Sequence, residues 1–197
     1  MTQDGIFRIL TLVLLMAGFG ISGYFRSKAD REGGRLNQSN KTVLIALRLL
    51  GLAVIWPLIA YLINPAWVAW ARWPVPLWLR WAAVGVAFAA VPAIYWLFSS
   101  IGNNISPTHA TRQDHQLITS GPYQWIRHPL YTFGFTFFLA ISVATSLWWV
   151  TMGLLIPMAV LFWRTPQEEQ NLIAEFGDEY REYMKQTGRY FPRLRSG

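Results

Sequence analysis

All three histidines of the chain lie in one polar segment between apolar stretches. The segment covers residues 102–128 and reads GNNISPTHATRQDHQLITSGPYQWIRH, with His109, His115 and His128. A metal site is not expected, because no acidic residue or second histidine follows any of them at i+3 or i+4 and the chain has no Cys. A lone histidine here is more often a solvated or helix-capping group than a ligand contact, and the spacing leaves both interpretations open.

Arg164 and Glu168 form a second candidate pair, directly after the longest uncharged run of the chain. Residues four apart share a helix face and lie within ion-pair reach. We expect Pro166 to open a new helix, which makes this geometry approximate. An ionisable pair at a membrane boundary is a functional candidate. The alternative is an interfacial Arg beside acids that favour a helix N-terminus, and the pattern favours neither.

The composition predicts that these residues are positioned by membrane helices. Of the 197 residues 53% are hydrophobic and only 14% are charged, too few to coat a water-facing surface. A bilayer core needs roughly 20 apolar residues per helix, and residues 6–25, 42–63 and 77–101 each meet this length. Arg80, near the start of the third stretch, is expected to extend to the interface.

Residues 130–163 carry no charge and are too long for one ordinary span. We interpret them as a helical hairpin that turns near residues 144–147, with Pro129 at the start of its first helix, where a missing N–H does no harm. The sequence thus predicts an all-α polytopic membrane protein with about five transmembrane helices, three spans plus this hairpin. The first span is not expected to be a signal peptide, since it lacks a basic leading region.

The basic residues that give the chain its net charge of +7 lie near the ends of the spans. Most of the 17 Lys and Arg lie in residues 26–41, in residues 102–128 and after residue 163. The positive-inside rule makes that side cytoplasmic, with the N-terminus outside and the C-terminus inside. The charge therefore indicates topology and contact with membrane lipids, and no nucleic-acid partner is expected.

Residues 167–186 change to an amphipathic helical pattern that is too charged to span a membrane. We expect a cytoplasmic helix that covers, with residues 102–128, a pocket open to cytosol and lipid.

The glycines of GFGISG, residues 18–23, match a dinucleotide-binding pattern, but they lie inside an apolar helix and are better explained by close helix packing. We divide the chain into residues 1–101, a three-span region, and residues 102–197, an integrated catalytic domain.

The last 95 or so residues resemble the isoprenylcysteine carboxyl methyltransferase family and, more distantly, the phospholipid N-methyltransferases. The similar stretches are HQLI at 115–118, TSGPY at 119–123 and RHPLY at 127–131. They continue with Arg164 and Glu168-Glu169, and with FGDEYREY at 176–183. Each motif is short, but all of them occur in order around the uncharged hairpin.

The resemblance implies S-adenosyl-L-methionine as cofactor, bound at the cytoplasmic face. It implies contact with the cofactor ammonium for Glu168 and contact with the substrate for Arg164, and these two residues form the expected catalytic pair. It further implies cofactor binding by residues of the quoted motifs: His115, Gln116, Leu117, Ile118, Tyr123, His128, Pro129, Leu130, Tyr131 and Glu168.

The acceptor expected from the resemblance is a lipophilic carboxylate, such as a prenylcysteine-like C-terminus. A carboxylate is ionised at pH 7, so the site must supply alignment and removal of water rather than a base, and a guanidinium orients a carboxylate through its planar fork. An amine acceptor would need a base, for which Glu168, Glu169 and His128 are candidates.

Several alternatives stay open at this point. The acceptor could be a phospholipid amine or a small thiol instead of a carboxylate. An NADPH-dependent sterol-reductase-like enzyme and a non-catalytic membrane scaffold are weaker candidates. The oligomeric state is not indicated by the sequence.

Overall fold

The computed structural model of the chain describes residues 2–32, 41–101 and 117–193. Within these ranges the chain forms helices and no β-strand, apart from two isolated bridges. The α-helices are α1 (Gln3–Glu32), α2 (Lys41–Ile63), α3 (Leu77–Ile101), α4 (Pro129–Thr145), α5 (Trp148–Phe176) and α6 (Asp178–Gln186), with short 3-10 helices at Pro65–Ala71 and Gly121–Gln124. The all-α class expected from the sequence is confirmed.

Three helical stretches are long and apolar enough to cross a membrane, namely Gln3–Ala29, Leu77–Ile101 and Trp148–Phe176. Two shorter apolar stretches, Gly51–Ile63 and Pro129–Thr145, accompany them. The core lies between α3 and α4, with α1 on α3 and with α2 and α4 on α5. Large apolar side chains that face away from this core are exposed in α1, α3 and α5, as expected for helices whose outer surface meets lipid.

Only one glycine of the GFGISG stretch lies at a close helix contact. A Cβ built on Gly18 would lie 3.1 Å from the Phe137 ring of α4. A Cβ built on Gly20 or Gly23 would meet no side chain or neighbouring helix within 4 Å. Close packing therefore explains Gly18 and leaves the other two unexplained.

The turn of the hairpin lies where the sequence places it. α4 ends at Thr145, and Ser146 adopts the left-handed conformation with φ of 57° before α5 begins at Trp148. The Ser142 hydroxyl donates to the Leu147 carbonyl at 3.0 Å, and the Trp73 N–H donates to the Ser146 carbonyl at 3.1 Å. These bonds satisfy backbone groups that a tight turn would leave unpaired.

Two local expectations are corrected. Pro166 does not open a new helix, because α5 continues through it from Trp148 to Phe176, at the cost of one backbone hydrogen bond. The amphipathic pattern of residues 167–186 is not one helix, since Gly177 takes φ of 59° and ψ of −128° and separates α5 from α6. Glycine adopts such a backbone conformation without the clash that a Cβ would cause.

Arg80 also departs from expectation. It does not extend outward to the interface: only 8% of its surface is exposed, and its guanidinium carbon lies 3.8 Å from the centre of the Phe7 ring. Its Nε donates to the Ala144 carbonyl at 2.9 Å. The inward direction follows from partners on α1 and α4 that the local sequence does not reveal.

Candidate active site at the start of α4

Three separate stretches of the chain meet at the start of α4. Residues 125–128 lead into α4, residues 164–169 belong to α5, and residues 187–190, here called the C-terminal strap, run beside the first stretch. The N–H of Arg127 donates to the Gly188 carbonyl at 2.9 Å, and the N–H of His128 donates to the Arg189 carbonyl at 3.0 Å. These bonds hold the strap against the entrance to α4. The first of them, with the bond from the Gly188 N–H to the Trp125 carbonyl at 3.0 Å, forms the isolated bridge between Ile126 and Gly188.

Glu168 connects the predicted site residues of α4 and α5. The Tyr131 hydroxyl donates to Glu168 Oε2 at 3.0 Å, and His128 Nδ1 lies 3.9 Å from the same oxygen. The rings of His128 and Tyr131 stack, with centroids 5.4 Å apart and planes 9° from parallel. About 19% of the Glu168 side chain remains exposed, so this carboxylate can meet both these partners and a ligand.

Glu169, the next residue, has a different environment. Its side chain is 4% exposed, and it accepts hydrogen bonds from Arg127 Nε at 2.8 Å and from Arg189 Nη2. His128 Nε2 lies 3.5 Å from Glu169 Oε1 and has no hydrogen-bond partner among the described residues. Two guanidinium groups keep the Glu169 carboxylate ionised and compensate its burial. Of the two adjacent acids, Glu168 is thus partly exposed and Glu169 is buried.

Arg164 lies one turn before Glu168 in the unbroken α5, so the i,i+4 relationship expected from the sequence is realised on one helix. Its side chain is half-buried. The guanidinium is close enough to the Tyr131 hydroxyl to act on it electrostatically. A cation, a carboxylate and a phenol therefore share one end of the hairpin.

Tyr123 is positioned by the 3-10 turn before α4. Gly121 in this turn has φ of +61°, and a Cβ at its position would lie 2.0 Å from the Ser100 hydroxyl oxygen of α3. The Tyr123 carbonyl accepts a hydrogen bond from the Tyr183 hydroxyl at 2.7 Å. Burial, with the charge of Glu168 as a smaller cause, raises the pKa of Tyr123 above its usual value, which keeps its phenol neutral.

The remaining expected cofactor residues are distributed unevenly. Pro129 is buried at the first position of α4, as expected, whereas the Leu130 side chain is 43% exposed. Leu117 and Ile118 are half-buried in non-helical backbone. His115 and Gln116 lie outside the described residues.

The sequence reasoning missed the part of the site that the strap contributes. In the sequence Arg189 is one of several basic residues after residue 163, and no motif includes Tyr190. The Tyr190 hydroxyl donates to the Thr165 hydroxyl at 2.8 Å, and its carbonyl accepts from the Thr132 hydroxyl at 2.8 Å. No local signal pointed to these contacts, because the partners lie 25 and 58 residues away.

Comparison with known proteins shows what this region is similar to. Residues 81–174 match the isoprenylcysteine carboxyl methyltransferase (ICMT) family. The chain is 37% identical over 78 residues to human protein-S-isoprenylcysteine O-methyltransferase, a match that covers 37% of this chain and 26% of the human protein. It is 30% identical over 122 residues to the cobalt-zinc-cadmium resistance protein CzcN of Cupriavidus metallidurans, covering 62% of this chain and 52% of that protein.

The fold has a counterpart among solved structures. The structure of a eukaryotic intramembrane Ras methyltransferase, ICMT, superposes with a TM-score of 0.55 over 96% of this chain and 73% of that one, at 20% identity. The chain spans about half or less of the length of the curated relatives that it matches.

Proposed function

We propose that the chain, whose residues 81–174 match the isoprenylcysteine carboxyl methyltransferase family, is an integral-membrane, S-adenosylmethionine-dependent methyltransferase that acts on a lipophilic carboxylate. One observation carries the proposal beyond the family match. Tyr131, His128 and Glu168 converge at 3.0 and 3.9 Å, with Arg164 one helical turn from Glu168.

The residues present fit the cofactor. A carboxylate that is partly exposed and flanked by aromatic rings suits a ligand that carries an ammonium and a sulfonium, since both cations are attracted to carboxylates and to aromatic faces. Glu168 would hold the ammonium, and Tyr123, His128 and Tyr131 would line the ligand, together with residues 115–118 and the backbone of residues 129–130. When bound, the cofactor supplies a methyl group on a positively charged sulfur.

The Tyr131 hydroxyl orients Glu168 by donating to Oε2. This bond fixes the position of one carboxylate oxygen. Glu169 contributes indirectly, because its bonds to Arg127 and Arg189 hold the strap and the start of α4 in place. The chain thereby presents a preorganised carboxylate rather than a mobile one.

Arg164 would hold the acceptor carboxylate. Its guanidinium offers two parallel donors that match the two oxygens of a carboxylate. Because such an acceptor is already ionised at pH 7, alignment and exclusion of water are the contributions that the chain must make. The lipid tail of the acceptor would remain against the apolar outer surface of α5, where Leu155, Ile156 and Phe162 are exposed.

An amine or thiol acceptor is the second candidate, and one observation favours it. One relative, which aligns with 62% of this chain, is a metal-resistance protein, whereas the human prenylcysteine enzyme aligns with 37%. An amine of a phospholipid headgroup would need a base, and His128 is the candidate beside Glu168 that is not assigned to the cofactor ammonium. The same cofactor residues serve either acceptor.

Two measurements on the detergent-purified full chain test the proposal. Titration calorimetry with S-adenosylhomocysteine and with NADPH should show binding of the first only; binding of NADPH alone would indicate an oxidoreductase, and binding of neither would indicate a scaffold. Transfer of a labelled methyl group to N-acetyl-farnesylcysteine, phosphatidylethanolamine or a small alkyl thiol then ranks the acceptors. Transfer to the first alone supports the carboxylate.

We propose five crossings for the topology, by α1, α2, α3, α4 and α5, with the N-terminus outside and the start of α4 on the cytoplasmic side. The apolar lengths of the helices and the hairpin turn at Ser146 support this arrangement. The α6 helix would cover the cytoplasmic end. Cysteine substituted at exposed Thr2 or at exposed Arg181, in a chain without other cysteines, should react with an impermeant reagent from opposite sides.

A further inference from the structure

A second polar cluster lies at the end of the helices opposite the candidate active site. α4 connects the two ends, since His128 precedes its first residue and the carbonyl of Ala144 near its last residue accepts a bond from Arg80. A 17-residue helix is about 25 Å long. A cavity of about 540 Å³ opens here, lined by Asp4, Arg8, Arg72 and Arg80 together with the first residues of α1.

The cluster is held in place by direct contacts. Arg72 donates to both oxygens of Asp4, at 2.7 and 2.9 Å, and Arg80 Nη2 donates to Asp4 Oδ1 at 3.2 Å. Arg8 donates to the carbonyls of Leu62 and, at 2.8 Å, of Ile63, at the end of α2. The guanidinium groups are therefore fixed around the cavity rather than free in solvent.

The charges in this cavity do not balance. Three guanidinium groups line it with a single carboxylate, and that carboxylate is shared by Arg72 and Arg80. Arg8 has backbone carbonyls and no carboxylate as partner among the described residues. Cations that are partly removed from water require compensation, and the cavity retains a net charge of two positive units.

Two further features favour an anion. The N-terminus of α1 lines the cavity. The Gly5 N–H is capped by the Thr2 hydroxyl at 3.2 Å, and the positive end of the helix dipole still attracts negative charge. The Tyr61 hydroxyl is fully buried close to Asp4 and the three arginines, and it has no hydrogen-bond partner among the described residues. Tyr61 is not among the residues that line the cavity, so an oxygen-rich ligand would meet the guanidinium groups and the start of α1 directly.

The surroundings indicate how the ligand reaches the cavity. Trp67, Trp70 and Trp78 are more than half exposed at the same end, and tryptophan at helix ends is typical of the headgroup layer of a membrane. A cavity of this size admits a headgroup phosphate. Phosphate is also a group that arginine forks bind well.

We propose that the cavity formed by Asp4, Arg8, Arg72 and Arg80 is a binding site for a phosphate group, presented by a phospholipid headgroup or as free inorganic phosphate. The site is independent of methyl transfer. It would tie the ends of α1, α2 and α3 together when occupied.

Thermal unfolding of the detergent-purified full chain tests the proposal. Phosphatidylglycerol and inorganic phosphate are titrated separately, with diacylglycerol as the lipid without phosphate and chloride at equal ionic strength as the salt control. A rise in the unfolding midpoint with phosphatidylglycerol alone identifies a lipid headgroup, and a rise with inorganic phosphate as well identifies a site for phosphate in general. Equal effects of phosphatidylglycerol and diacylglycerol, with no effect of inorganic phosphate beyond that of chloride, would overturn the proposal.

Substitutions of arginines test whether phosphate binds in this cavity. Arg8→Gln should weaken the apparent affinity about tenfold while leaving the Asp4–Arg72 pair in place, and Arg8→Lys, which keeps the charge, should recover part of the loss. Arg31→Gln, an exposed residue at the other end of α1, is the matched control. If Arg8→Gln binds as tightly as the original chain, or if Arg31→Gln loses as much affinity, the cavity is not the site. Native mass spectrometry of bound lipid gives the same comparison for a variant with a lowered unfolding midpoint.

Discussion

Arg189 donates a hydrogen bond to the enclosed carboxylate of Glu169, 20 residues earlier in the chain. Glu169 accepts a second bond from Arg127 at the entrance to α4, so one acid joins the strap, α5 and the start of α4. This bond to Glu169 raises the pKa of Arg189 above its usual value, which keeps the pair charged at any physiological pH. The enclosed acid organises the site, while its neighbour Glu168 meets the ligand.

Glu169→Gln should therefore destabilise the chain. The substitution leaves the buried guanidinium of Arg127 without its countercharge, a change that typically costs about 3 kcal/mol or more. Thermal unfolding in detergent measures it. Glu182→Gln, which removes one partner of an exposed pair with Lys185, should change the midpoint little, and equal effects of the two substitutions would show that Glu169 has no structural role.

Tyr131→Phe should weaken cofactor binding severalfold without a comparable loss of stability. It removes the hydroxyl that orients Glu168 and keeps the ring that stacks on His128. The dissociation constant of S-adenosylhomocysteine by calorimetry is the readout. Tyr24→Phe, on the exposed surface of α1, is the control; unchanged binding in Tyr131→Phe would contradict the orienting role.

Glu168→Gln should raise the same dissociation constant about tenfold, equivalent to about 1.4 kcal/mol. The amide keeps the size of the side chain and removes the charge that we assign to the cofactor ammonium. Because the site lies next to Glu169, the unfolding midpoint is recorded as well. A normal dissociation constant with a normal midpoint would remove Glu168 from the cofactor site.

Arg164→Ala should lower kcat about 100-fold or more and leave the affinity for S-adenosylhomocysteine nearly unchanged, since its fork is assigned to the acceptor. Arg164→Lys keeps the charge without the planar fork and should recover only part of the rate. Radiolabelled methyl transfer to N-acetyl-farnesylcysteine measures both. Loss of cofactor binding in Arg164→Ala would instead assign Arg164 to the cofactor.

Gly121→Ala should destabilise the turn that carries Tyr123. The added Cβ meets Ser100 at 2.0 Å, and the φ of +61° disfavours any side chain, so a loss of about 1–3 kcal/mol is expected. Gly134→Ala is the matched control, because Gly134 lies inside α4 and a Cβ added there would meet no neighbouring group within 4 Å. Alanine there should be neutral or stabilising by about 0.5–1 kcal/mol.

Stability should fall at high pH because of tyrosines near the site. Burial raises the pKa of Tyr183 above its ordinary value of 10.0, so the unfolded chain loses this proton at a lower pH than the folded chain. The stabilisation of the folded chain by protonated Tyr183 is fully present below about pH 10 and is lost as the pH rises above that value. Tyr183→Phe should flatten the decline of the unfolding midpoint above pH 10; an unchanged slope would show that Tyr183 does not cause it.

The sequence predicted features that depend on local spacing and composition. The uncharged run of residues 130–163 indicated a hairpin, and the turn at Ser146 lies within the expected residues 144–147. The placement of Arg164 one turn before Glu168 also followed from spacing, and both residues lie on one helix because α5 continues through Pro166. A helix can continue through a proline when it gives up one backbone hydrogen bond.

The sequence by itself determined the helices, the apolar surfaces and a set of candidate residues, because helix period and hydrophobicity are properties of neighbours along the chain. Only the tertiary structure decided that the Glu168 side chain is partly exposed while that of Glu169 is buried. It also decided that Arg189 belongs to the site and that Arg80 points inward to Asp4 and Ala144. These outcomes depend on partners 20 to 76 residues away. Charge pairing and burial between distant segments leave no periodic signal in the sequence, which is why the second polar cluster was not foreseen.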